Sequence, residues 1–153
     1  MNKQQQNLEA KALKLYNQIT RSVERELGTE YQWGDKLTES AKKRIGPTFL
    51  GAFARDAINY QAMKPGDTAL VNTWPQGTGG EHWCGVGCDE KDRIIVYDSF
   101  GRDGAKLLHI KAVVPVQNTD LDAEQKRSEV NCGPRSVSWC YLFSKNPELA
   151  MLI

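Results

Sequence analysis

Four side chains of this 153-residue chain are of types that do chemistry together. They are His82 in His82-Trp83, Asp98 in Tyr97-Asp98-Ser99-Phe100-Gly101, Gln125, and Cys132 in Asn131-Cys132-Gly133-Pro134. A thiol can attack a carbonyl once an imidazole takes its proton. A carboxylate can orient that imidazole, and an amide N–H can donate to the oxyanion that results. Singly each is weak: Asp98 has the setting of a strand-end turn aspartate, and Gln125 stands among Glu124, Lys126 and Arg127 as an exposed loop glutamine would. In this order, the set makes thiol-based acyl transfer the expected chemistry, with His82, Asp98, Gln125 and Cys132 as the catalytic residues.

Other reactive side chains read more plainly. His109 sits in an alternating stretch with no motif around it, and Cys140 falls in an apolar helical stripe, as a packed thiol does. His82, Cys84 and Cys88 share one face of a strand, but ligands spread along a single strand are too far apart for a tight tetrahedral zinc site. No metal or cofactor is therefore expected. Trp83 points the opposite way from His82, as a core anchor. Gly79-Gly80 and Gly101 either border a groove or supply turn freedom.

The elements that must position these groups follow from periodicity. Leu8, Ala12, Leu15, Tyr16, Ile19 and Val23 predict an amphipathic helix over 4–27, ended by Gly28. A second helix is expected over 38–45 with Thr38 as cap, stopped by Gly46-Pro47, and Phe49, Leu50 and Phe53 then give an apolar surface. After Lys64-Pro65-Gly66-Asp67 the pattern turns to strands, over 68–74, 82–88, 93–99 and 106–116, with Asp89–Asp92 as a hairpin loop. Residues 117–131 read as polar loop. A helix capped by Asn131 starts at Cys132, and Asn146-Pro147-Glu148 opens a last short one. Helices, then strands, then a helix bearing the cysteine make an α+β fold with a central mixed sheet. Unpaired N–H groups and the dipole at that helix start favour a thiolate.

The formal net charge of +1 gives no reason to expect a nucleic-acid or membrane surface, and Lys42-Lys43-Arg44 and Lys126-Arg127 read as solvated faces. No apolar run approaches bilayer length, and Met1–Gln6 is too polar for a signal peptide. The expected setting is cytosol-like, with Cys84, Cys88, Cys132 and Cys140 as free thiols.

Several segments resemble the adenain-like, adenovirus-type maturation cysteine proteases, and more loosely the SUMO-specific (Ulp-like) proteases. Gly46-Pro47-Thr48-Phe49-Leu50-Gly51 is similar to a Gly-Pro-x-Phe-Leu-Gly segment near the start of adenain-like enzymes. Val71-Asn72-Thr73 and Thr78-Gly79-Gly80-Glu81-His82-Trp83 resemble the approach to the family's His-Trp, and Tyr97–Gly101 its acid-bearing strand end. Gln125, seven positions before Cys132-Gly133, has the family's separation of oxyanion glutamine and nucleophile. The likeness runs from about Gly46 to Phe143. Asp98 departs from the Glu frequent in the family, and Pro134 from a bulky apolar residue.

The resemblance implies a cysteine endopeptidase that processes viral capsid or core precursor proteins during virion maturation. It would be a monomer in the virion and host cytoplasm or viral factory, not secreted and not on a membrane. It implies one protease domain over 1–153, with an N-terminal helical segment of about 1–45 and a catalytic body of about 46–153. A peptide or nucleic-acid activator is left open. No cysteine lies from Ser99 to Asn131, so the family's disulfide-tethered peptide does not carry over, and the N-terminal helix is the intramolecular candidate to replace it. Rival readings are an isopeptidase acting on ubiquitin-like modifiers, an acyltransferase, and a capsid-associated binding module without chemistry.

Overall fold

The computed structural model describes residues 2–30, 32–75, 82–111, 114–120, 122–125 and 129–153. Helix α1 spans Lys3–Leu27, its start capped by the Asn2 side chain, which accepts from the Gln5 N–H at 2.8 Å. Gly28, at φ 88°, ends it in a conformation that favours glycine. Ala12, Tyr16, Thr20 and Val23 are its buried line, whereas Leu8 is 44% exposed and lies beyond the body.

Helix α2 spans Gly34–Ile45, a turn longer than the sequence suggests, and Thr38 lies inside it rather than capping it. Packing decides this start. Leu37, Ser40 and Ala41 are the buried face, so the inward stripe begins upstream of Thr38, with Asp35 favouring the first turn.

A five-stranded mixed sheet follows, in spatial order β1-β2-β3-β4-β5: Phe49–Ala54, Thr68–Asn72, Trp83–Cys88, Ile94–Tyr97 and Val116–Asn118. The two central pairings, β2 with β3 and β3 with β4, are antiparallel, and the two outer ones are parallel. The architecture is α+β. Asp89 closes the β3–β4 hairpin by accepting from the Lys91 and Arg93 N–H groups, each at 2.9 Å.

Three more expectations need correction, the first being that Gln117 and Asn118, read as the start of a polar loop, pair with β4 as part of β5. Phe49–Ala54 is a strand rather than only an apolar surface. Its alternation is hidden by a register shift between Phe49 and Ala52, with Gly51 at φ 139°, and its parallel partner is distant in sequence. The strand expected over 106–116 is instead a helical turn, α3, at Gly104–Leu107, and among the described residues no further helix or strand precedes β5. Asp103 caps α3, its carboxylate accepting from the Lys106 N–H at 3.3 Å, and a left-handed residue, His109 at φ 55°, turns the chain away. Residues 112 and 113 of that stretch lie outside the described set.

Helices α4, Cys132–Lys145, and α5, Pro147–Ala150, complete the order. Asn146 caps α5 as expected, accepting from the Leu149 N–H at 3.2 Å. Helix α4 lies on the side of the sheet that carries Leu70, Trp83, Ile95 and Tyr97, shared with α1. Val71, Cys84, Val86, Cys88, Ile94 and Val96 form a second core on the opposite face. Trp83 and His82 thus point to opposite sides, as period two requires.

Contact between α4 and β3 depends on two missing side chains. A Cβ on Gly85 would stand 2.8 Å from the Trp139 ring, and one on Gly87 would stand 2.7 Å from the Phe143 ring. Both aromatics are fully buried, so neither ring can swing aside. Gly87→Ala should therefore lower stability by about 1–3 kcal/mol, as overpacking does. Chemical denaturation of the variant beside the parent chain checks this, and an unchanged midpoint would contradict it.

Candidate functional site

The sheet brings His82 and Asp98 together by register. Gly85 pairs with Tyr97 across the β3–β4 ladder, so the residue just before β3 and the residue just after β4 end on the same side at the same edge of the pairing. There His82 Nε2 and Asp98 Oδ1 are 2.5 Å apart, both side chains almost wholly buried. The Asp98 carboxylate also accepts from the Arg102 N–H and Nε–H, each at 2.9 Å. Phe100 stacks on the imidazole, with ring centroids 5.2 Å apart, and the Arg102 guanidinium lies 5.1 Å from the same Phe100 ring. Sequence reasoning missed Arg102; its one signal was an arginine four positions after a candidate acid.

Cys132 is the first residue of α4, and its thiol lies near enough to the imidazole to favour the charged form of His82. Cys84, on the same strand face as His82, contributes a second sulfur. Burial works against a charged imidazole, but the Asp98 carboxylate and then the two sulfurs overcome it and hold His82 well above the ordinary histidine range. Burial likewise opposes a charged Asp98, while His82 and Arg102 pull its carboxyl down to about 2. Each partner thus favours the charged form of the other.

Gln125 touches none of His82, Asp98 and Cys132 in the bonds it makes and is held by Ser99 and Glu129 instead. Its backbone N–H donates to the Ser99 carbonyl at 2.9 Å, and its Oε1 accepts from the Ser99 hydroxyl at 2.5 Å. Its Nε2 donates to the Glu129 carbonyl at 2.7 Å, which uses one of the two amide hydrogens. Gly101, at φ 73°, lets the chain before Gln125 cross closely: a Cβ there would stand 2.8 Å from the Asp122 carbonyl carbon. Asp98 and Phe100 thus hold the imidazole, while Ser99 and Gly101, alternating with them, hold the glutamine segment. Gly133 after the cysteine is equally constrained, since a Cβ would lie 2.9 Å from Leu37 of α2.

The remaining candidates fall as follows. Asn131 stands at the α4 cap position, but its side chain makes no capping bond and turns elsewhere. Cys140 is fully buried and, by that burial, held far above the ordinary thiol range, as a packed thiol should be. All four cysteines are free. Cys88 is turned toward the Met63 carbonyl, away from the site. Donor atoms of His82, Cys84 and Asp98 lie within 4.8 Å of one another. A cation there would have to displace Arg102 from a carboxylate it already neutralises. His109 lines a cleft of about 480 Å³ that also reaches His82, with Arg55, Trp74 and Lys106 on its walls. Thr78–Glu81, with Gly79-Gly80, and the Lys126-Arg127 cluster lie outside the described residues. Among the described residues no helix is long and apolar enough to cross a membrane.

Glu124, beside Gln125, is a buried acid in the same segment. Burial and the neighbouring Asp122 push its carboxyl up to about 9, against the pull of Tyr97 and Arg135. It is therefore neutral in the folded chain near pH 7. Once unfolded it ionises above about pH 4.5, so its contribution to stability, complete below that pH, is lost as pH rises toward 9. Glu124→Gln should leave stability unchanged at pH 4 and raise it at pH 8. Thermal unfolding at both pH values tests this; a variant equally stable to the parent at pH 8 would refute the assignment.

No family profile matches the chain. Individual relatives do. The chain is 30% identical over 89 residues to the protein named Protease of Bovine adenovirus C serotype 10, covering 58% of this chain and 42% of that protein. It is 29% identical over 109 residues to the Protease of Human adenovirus B serotype 3, covering 64% and 51% respectively. It is 28% identical over 95 residues to the Protease of Human adenovirus E serotype 4, covering 61% and 44%. The chain spans about half the length of these curated relatives. The likeness drawn from the motifs therefore extends along the sequence: about three-fifths of the chain is similar to these adenovirus proteins.

Proposed function

We propose that this chain is a cysteine endopeptidase acting on viral structural proteins during virion maturation, with residues 1–153 working as one protease domain. The observation that carries the reading is the buried imidazole of His82 paired with the Asp98 carboxylate, with Cys132 beside it at the first residue of a helix. With Asp98 favouring its charged form, the His82 imidazole is set to take the Cys132 proton, and a helix start favours the thiolate that such a transfer makes. Likeness to adenovirus proteins named Protease supports the substrate class.

The reaction runs in two displacements. The Cys132 thiolate attacks the scissile carbonyl carbon, and the oxyanion takes hydrogen bonds from the second Gln125 Nε2 hydrogen and the Cys132 backbone N–H, a first-turn donor without a helical partner. Collapse of the intermediate breaks the C–N bond as His82 gives its proton to the departing amine. The now neutral imidazole takes a proton from water, whose oxygen attacks the thioester and releases the carboxylic acid. The thiolate and imidazolium are thereby restored. Asp98 stays ionised throughout, and Arg102 and Phe100 keep its geometry and that of the ring.

Identification of new N-termini after mixing the enzyme with virion proteins tests the activity and supplies the cleavage motif. Cys132→Ala should lower turnover by about 10⁴-fold or more with the fold retained, and His82→Ala should be nearly as damaging, since groups acting as one unit are not additive. Cys140→Ala should keep its activity. A Cys132→Ala enzyme that still cleaves at the parent rate would sink the nucleophile assignment.

A further inference from the structure

The mechanism leaves Arg135 unused, although it is half-buried one helical turn after Cys132. Its guanidinium has three partners on two segments, α1 and the stretch just before α4. Nη1 donates to the Tyr16 hydroxyl of α1 at 3.3 Å, and Nε donates to Asn131 Oδ1 at 3.2 Å. Nη2 meets Glu129 Oε2 at 3.4 Å. Asn131 in turn donates from Nδ2 to Glu24 Oε1 of α1 at 3.1 Å, and to Glu129 Oε2 at 3.3 Å. Glu129 is the residue whose carbonyl holds the Gln125 amide.

These contacts form one continuous chain from the N-terminal helix to the oxyanion donor. Tyr16 is anchored at its far side: its hydroxyl is 2.5 Å from that of Tyr97 on β4, in the fully buried core. A planar guanidinium with five donors can hold three acceptors at fixed angles; an ammonium cannot. Asn131 is diverted from capping α4 to serve this network, which shows what its side chain is kept for.

We propose that Arg135 is a positioning residue for the oxyanion donor: it ties Tyr16 of α1 to Glu129 and Asn131 and so holds the Gln125 amide where charge develops. The N-terminal helix thereby sets activity, not only stability. This inference rests on the peptidase reading above.

The test uses the full chain with Arg135→Gln, Tyr16→Phe and Gln125→Ala, singly and combined, in two assays. One is peptide cleavage, which needs the oxyanion donor. The other is alkylation of Cys132 by iodoacetamide, which needs the thiolate but no oxyanion. Arg135→Gln should cut kcat by about tenfold with KM little changed, the scale of a weakened oxyanion donor, and Tyr16→Phe should fall in the same direction. In the Gln125→Ala background neither should add more than about a twofold loss, since a residue acting through another has nothing left to remove. Alkylation should proceed at the parent rate throughout. Losses that multiply fully onto Gln125→Ala, or alkylation slowing in step with cleavage, would overturn the proposal and make the network a support of fold or nucleophile only. Persistent cleavage by Cys132→Ala in the same assay would instead remove the peptidase reading itself.

Discussion

The close seat of α4 on β3 is the constraint from which the site follows. A helix and a strand come this near only where the strand offers no side chains, and Gly85 and Gly87 supply that bare face to Trp139 and Phe143. The Ser136 hydroxyl then donates to the Trp83 carbonyl at 3.1 Å, tying helix to strand beside the site. Trp139 completes the layer by lying parallel to Tyr97 at 5.7 Å, and its indole N–H donates to Ala150 of α5. With α4 fixed in this way, its first residue arrives at the end of β3, where His82 waits. Volume exclusion at two positions places a thiol near an imidazole several residues away.

A second economy lies after β4. The strand ends at Tyr97, whose hydroxyl faces α1, and the next four residues turn the chain back across the site. Acid, hydroxyl, ring and glycine come in direct succession, so imidazole orientation and glutamine placement are governed by a single turn. Both halves of the site thus respond to the same short piece of backbone.

Much of this was legible in the residues. Helix α1 and its glycine stop, the β3–β4 hairpin, the Cys132 helix and the opposed directions of His82 and Trp83 rest on local periodicity and turn chemistry, and the structure has them as expected. Strand β1 was hidden because its partner is remote and its alternation is interrupted at Gly51. Residues around Lys106 look like a strand by their apolar alternation, yet Asp103 caps a helical turn, and Gly104 fits only because it has no side chain under Val96. At the site, His82 and Cys132 could be picked out as candidates from their settings. Arg102 and Arg135 could not, because an arginine's role is written in partners that are brought near only by folding.

The order of elements along the chain has a kinetic side. Tyr16 and Arg135, which touch through their side chains, are 119 positions apart. The helix that frames the nucleophile is synthesised long before the helix that bears it, so α1 must wait unpartnered while the sheet forms. Contacts of such long range are slow to find, because the chain entropy of closing the loop is lost before any packing compensates it. Docking of α4 is then the step that brings Cys132 to the paired His82 and Asp98. A nascent or partly folded chain carries His82, Asp98 and Cys132 and none of the geometry that brings them together.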